Sequence, residues 1–166
     1  HMSRVLTIAR GRGAGGWADC LVDAVDADTD APAPWLHPED GREMLLSNFA
    51  NQQDFLRLLT GWTALTGEAA PAEAGAAIMR QMLTEGADAS GLLHWGGHRA
   101  IDLQCGEPFG MENFHELKTH FPFYEGWWPV APAATRRFIE AFWERHILDW
   151  RTLDLNRHGE YGPGSA

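Results

Sequence analysis

An apolar stripe at helical spacing, ended by a glycine stop and followed by a proline start, constrains this chain more than any other feature. Ser47 can cap a helix running to about Thr66, on which Phe55, Leu58, Leu59, Trp62 and Leu65 form one stripe. Gly67 is a natural stop, and Pro71 suits the first turn of a second helix reaching about Glu85. The Ala74-Gly75-Ala76-Ala77 stretch of that helix lets a neighbour approach closely. Trp17–Val25 reads as a short amphipathic helix, and Asn113–Phe121 as a helix stopped by Pro122. A last helix starts at Pro132 and presents Phe138, Ile139, Phe142, His146 and Ile147. Long loops lie between, notably Asp26–Gly41 and the glycine-punctuated Ser90–Asp102, which has room for one short extended piece. Helical hairpins in series stack into bundles, solenoids or closed toroids, so the spacing predicts an all-α fold. The loops carry the unusual residues, and loops of this length in compact domains are usually functional.

Length and charge narrow the function. With 166 residues, 45% of them hydrophobic, and eight tryptophans, the chain can build one core. The leading His-Met reads as an expression-vector remnant, so residues 1–16 form a scar and irregular lead-in and residues 17–166 the domain. A formal net charge of −10 disfavours nucleic acid as a partner, because that binding rests on phosphate neutralisation. No apolar run has the length of a membrane span, which disfavours a membrane partner. An acidic polymer would need a local positive patch. The basic residues suit one: a single lysine, Lys118, stands against twelve arginines, whose planar fork matches a carboxylate. Six of the eight histidines fall between His94 and His158. Cys20 and Cys105 form no Cys-x-x-Cys pair, and two buried free thiols are expected. Gly11-x-Gly13-x-x-Gly16 matches the dinucleotide fingerprint by letter, but no βαβ unit follows it.

Four clusters could carry chemistry. Asn156-Arg157-His158-Gly159-Glu160-Tyr161, at the exit of the last helix, gathers an amide, a guanidinium, an imidazole and a phenol. Asn156 and Arg157 could neutralise a carboxylate, and His158 and Tyr161 could move a proton; alternatively Arg157 pairs with Asp154 in an ordinary loop. In His94-Trp95-Gly96-Gly97-His98, two histidines four apart could bind zinc with a third ligand from His115, Glu116 or His120. Gly96 and Gly97 argue against the helix this needs, and a sugar-binding loop with Trp95 as stacking platform fits the same residues. Asn113 to Lys118, followed by His120 and Tyr124, offers His115 as a base near a loop entry, or else a solvated face with a Glu116–Lys118 ion pair. Asn48, Asn51, Gln52 and Gln53 at a helix start suit sugar hydroxyls or a carboxylate, or simple capping.

Leu92-Leu93-His94-Trp95-Gly96-Gly97-His98, His115-Glu116-Leu117-Lys118, Phe142-Trp143-x-x-His146-Ile147-x-Asp149-Trp150 and Asn156-Arg157-His158-Gly159-x-Tyr161, with Leu46-Ser47-Asn48, Gln52-Gln53 and Phe55-Leu56 upstream, resemble the helical-toroid polysaccharide lyases of the glucuronan and alginate lyase group. The likeness covers roughly residues 20–161. It implies an (α/α) toroid and β-elimination at a 4-linked uronic acid by a carbon–oxygen lyase. In that chemistry, neutralising the uronate carboxylate stabilises the developing enolate-like charge, a base takes the C5 proton, and an acid protonates the leaving oxygen. The resemblance implies Tyr161 as acid or base, His98 or His115 as its partner, and Asn48, Arg157 and His158 on the carboxylate side. Gln52, Trp95, Asn113, Lys118, Tyr124 and Asn156 would line the substrate site. No cofactor or metal is required where side chains supply the neutralisation. A closed toroid needs more helices than this chain holds, so a companion C-terminal chain or a missing segment beyond Gly162–Ala166 is expected to complete it. A polymer-degrading role favours the periplasm or export.

Two other classes compete. A helical-toroid hydrolase needs two opposed carboxylates, for which Glu112, Glu116 and Glu125 are available, and an epimerase would use paired histidines on a free sugar. A non-enzymatic acidic module would bind a partner through Trp127, Trp128, Trp143 and Trp150.

Overall fold

A computed structural model describes residues 2–10, 16–97, 99–111, 113–116 and 121–162. The helices are α1 (Met2–Ile8), α2 (Gln53–Thr66), α3 (Ala69–Glu85), α4 (Tyr124–Val130) and α5 (Pro132–His146). The strands are β1 (Trp35–Leu36), β2 (Glu43–Met44), β3 (Leu46–Ser47), β4 (Arg99–Asp102), β5 (Glu107–Gly110), β6 (Phe114–Glu116), β7 (Ile147–Asp149), β8 (Asp154–Leu155) and β9 (His158–Glu160). All pair antiparallel, in the orders β1-β2, β3-β4-β5, β6-β9 and β7-β8.

This mixed α/β architecture overturns the expectation of an all-α (α/α) toroid. The expected helix over Asn113–Phe121 is in its described part the strand β6, paired with β9. Trp17–Val25 holds no helix: Leu21 and Val25 bridge Arg10 and Pro32 instead. The physical reason is the same throughout. Backbone donors and acceptors in the supposed loops must be satisfied, and short antiparallel ladders satisfy them. Strands of two to four residues carry too few side chains to show a period-two pattern.

The three longest helices follow their sequence signals. Gly67 adopts a left-handed conformation (φ 77°), and its N–H closes α2 on the Thr63 carbonyl. Pro71 sits in the first turn of α3, and Pro132 opens α5, where its missing N–H costs nothing. The 3-10 turn Phe49–Gln52 precedes α2 and is capped by Asn48 rather than Ser47. The buried face of α2 also differs from the expected stripe. Gln53, Leu56 and Leu59 point inward, whereas Leu58, Trp62 and Leu65 are exposed. At Gly75 of α3 an added Cβ would stand 3.5 Å from Leu59 Cδ1, so the small-residue stretch does admit α2.

α2–α5 gather the core around Phe49, Trp95, Trp127 and Phe138. Phe49 stacks on Trp127 with centroids 5.5 Å apart, and Phe138 meets both Trp95 and Trp127 edge-on. Each such fully buried aromatic contributes roughly 1.5–3 kcal/mol. Both cysteines are free, but only Cys20 is buried; Cys105 is exposed. Burial raises the Cys20 thiol far above its ordinary range. Among the described residues, no helix is long and apolar enough to cross a membrane.

Candidate active site

The pairing of β6 with β9 sorts the polar residues of both motifs onto two faces. Successive strand side chains point to opposite sides, so His115, opposite Gly159, turns toward α5 while Glu116 and His158 share the other face. Gly159 is what permits the inward side. A Cβ there would stand 2.8 Å from His146 Nε2 and 3.0 Å from Arg145 Cβ.

Inward of the ladder runs a chain of hydrogen bonds whose tautomers are fixed from both ends. Trp95 Nε1–H can only donate, and it donates to His115 Nε2 at 2.7 Å. His115 Nδ1 therefore carries the proton and donates to His146 Nε2 at 2.7 Å. His146 Nδ1–H then donates to the Asn156 carbonyl at 2.7 Å, which can only accept. Both imidazoles are neutral in this arrangement, in keeping with their titration. Burial, with the neighbouring His146 and His94, lowers His115 to about 3, and burial lowers His146.

Outward of the ladder, Arg157 Nε donates to Glu116 Oε1 at 3.0 Å, and its Nη2 bonds the same oxygen. Glu116 Oε2 accepts the Gly97 N–H. The Glu116 side chain is only 4% exposed, whereas that of Arg157 is 68% exposed. The carboxylate is thus a buried strut that fixes a guanidinium at the surface and ties it to the glycine pair. Gly96 needs its freedom at φ 107°. Asn48 clamps it from the other side, accepting the Gly96 N–H at 3.1 Å and donating to its carbonyl at 2.5 Å.

The Asn48–Gly96–Gly97 wall borders a groove of about 1200 Å³, also lined by Asp23, Trp35, His37, Arg99, Phe109 and Asn113. Arg99 Nε donates to His94 Nδ1 at 3.0 Å, Arg99 Nη1 donates to the Met111 carbonyl at 2.7 Å, and the guanidinium lies 5.0 Å from the Tyr161 ring centre. Burial and the Arg99 charge lower His94 to about 4.

The remaining expected site residues divide clearly. Tyr161 donates its hydroxyl to the Leu93 carbonyl at 2.8 Å, and burial raises its phenol above the ordinary range. Trp95 is buried in the core and offers no face to a sugar. Gln52 is buried and donates to the Leu21 carbonyl and to Ser47 Oγ. Tyr124 packs on Trp127 and Phe138, away from the groove lining, with its phenol pushed up to about 12 by burial. Asn113 lines the groove, and its carbonyl accepts the Tyr161 N–H at 3.2 Å. Asn156 is exposed, with its side chain accepting the His158 N–H at 3.3 Å. His98 and Lys118 lie outside the described residues, as do Glu112 and His120. Among the described residues, no three of His, Cys, Asp and Glu are placed to hold a metal ion. Sequence reasoning missed Arg99, Trp35 and Phe109 as groove residues, because only the β4–β5 pairing and the β1–β2 hairpin bring them together.

Residues 18–166 match the family described as periplasmic pectate lyase. A pectate disaccharide-lyase of Dickeya dadantii (strain 3937) is 41% identical over 145 residues. That match takes in 85% of this chain and 26% of the relative, so the chain spans about a quarter of that protein's length. The expected kinship with polysaccharide lyases therefore holds at that level, while the glucuronan and alginate lyase group gives way to another. The chain belongs to the periplasmic pectate lyase family.

Proposed function

We propose that the groove bounded by Asn48, Gly96, Gly97 and Arg99 takes part in cleaving pectate, a 4-linked uronic-acid polymer, by β-elimination. The observation that carries this reading is the surface guanidinium of Arg157, held by the buried Glu116 carboxylate and joined through it to the groove wall at Gly97. Family membership and the relative whose name is pectate disaccharide-lyase support the polymer and the reaction class.

The chemistry assigns the parts. A uronate C5–H becomes acidic only as its carboxylate charge is offset, and a preorganised cation does this without reorganising at the moment of reaction. Arg157 supplies that charge, and its strut keeps it from collapsing elsewhere. His158, which shares the outer face with Glu116, is the imidazole we assign to proton exchange. Asn48 shapes the wall by fixing Gly96. His115 and Tyr161 act as positioning residues: both imidazole nitrogens of the first, and the hydroxyl of the second, already serve partners within the fold.

The test is ultraviolet absorbance of the protein with pectate, alginate and glucuronan, each with and without EDTA. Elimination creates a conjugated double bond, so absorbance rises with pectate. The chelator arm reads whether a divalent ion takes part. No rise with any polymer, from a protein shown to be folded, would sink this reading.

A further inference from the structure

The groove contains a second cation with a different environment. Of the charged residues that line it, Asp23, Glu39 and Glu107 are acidic, and His37 Nδ1 lies 3.2 Å from Asp40. Arg99 is the arginine among the lining residues, and among the described residues it has no carboxylate partner. Its partners leave its charge uncompensated: a neutral His94 nitrogen, the Met111 carbonyl and the Tyr161 ring. A guanidinium has five N–H donors, and two are used here, one from Nε and one from Nη1. That leaves one N–H on Nη1 and both on Nη2, on a guanidinium already held by His94, Met111 and the Tyr161 ring. The same groove is lined by Trp35, 47% exposed, and Phe109, their ring centres 5.3 Å apart. These offer an apolar face against which a sugar ring can lie.

We propose that Arg99 binds a uronate carboxylate end-on through its Nη1 and Nη2, with the sugar ring against Trp35 and Phe109, and so makes the groove select acid over methyl ester. This rests on the pectate reading above and adds a subsite to it. A planar fork matches a carboxylate with two parallel charge-assisted bonds, whereas an ester offers no negative charge and a lysine no fork. The acidic lining works in the same direction. It penalises anions along the groove lining, so binding there depends on a carboxylate registered at Arg99.

Arg99→Gln and Arg99→Lys are compared with the unsubstituted protein, using thermal melting to confirm folding and steady-state cleavage of pectate and of highly methyl-esterified pectin. The expected result is a KM for pectate raised about tenfold or more in both variants, kcat changed much less, and the preference for pectate over the ester sharply narrowed. A role in folding alone would lower the melting temperature without narrowing that preference. Unchanged KM and unchanged preference in Arg99→Lys would overturn the subsite, even if Arg99→Gln fails to fold. Should the unsubstituted protein cleave neither polymer, the pectate reading fails by itself. Equilibrium binding of a galacturonate oligomer, against the same oligomer as its methyl ester, then decides the subsite: loss of acid-selective binding in Arg99→Lys supports it, and no selectivity to lose overturns it.

Discussion

Arg157 and Glu116 show how one residue's exposure is set by another's burial. The carboxylate is almost wholly inside and would be costly to leave unpaired, so its two oxygens take the Arg157 guanidinium and the Gly97 N–H. Replacing Arg157 by lysine keeps a charge but loses the two-nitrogen grip. The expected result is a fall in kcat on pectate of about 10²–10³-fold, read by initial rates, with the fold retained by circular dichroism. The histidines make a separate prediction. His94 is lowered to about 4, His115 to about 3, and His146 is also lowered, all from an ordinary value of 6.5. The unfolded chain therefore binds more protons than the folded one between these values. The stability these neutral imidazoles contribute is fully present above pH 6.5 and is lost as pH falls through the window toward 3. Melting temperature should decline through that window, and His115→Gln should flatten the decline; an unaltered slope would contradict the neutral assignment.

The β6–β9 ladder is the element that turns a string of polar letters into a site. Its alternation sends His115 inward and Glu116 outward, a distinction a helical reading of Asn113–Phe121 could not make. Gly159→Ala tests the ladder. Its methyl would collide with His146 Nε2, parting β9 from α5, and should cost about 1–3 kcal/mol by chemical denaturation. Activity should fall further than stability alone explains, because His158 opens β9 and Arg157 directly precedes it. The sequence made the helices legible where caps are explicit: Gly67, Pro71 and Pro132 each mark a boundary that the structure keeps. It also singled out Asn48 and Asn113, which the fold brings to the groove, and Arg157, which Glu116 ties to the groove wall at Gly97. Trp95, Gln52 and Tyr124 looked equally suited to a sugar, since nothing in their letters tells a core aromatic or amide from a surface one. The strands were hidden because pairing partners such as β6 and β9 are distant in sequence, and neither carries a period of its own.

At the scale of the whole molecule, a helical core supports small antiparallel sheets, and the proposed site lies where the two meet. Phe138 is the joint. It packs on Trp95, Trp127, Phe142 and His115, linking the core to the imidazole chain. Phe138→Ala should destabilise by about 3–5 kcal/mol, measured by denaturant midpoint, and should carry activity down with stability. Whether this groove belongs to an eliminating enzyme is read most directly from the mass of the products released from pectate. Elimination leaves each new non-reducing end unsaturated, so the released oligomers should be one water lighter than their saturated counterparts. Oligomers at the full saturated mass would mean that water had been added across the cleaved bond, and would contradict it.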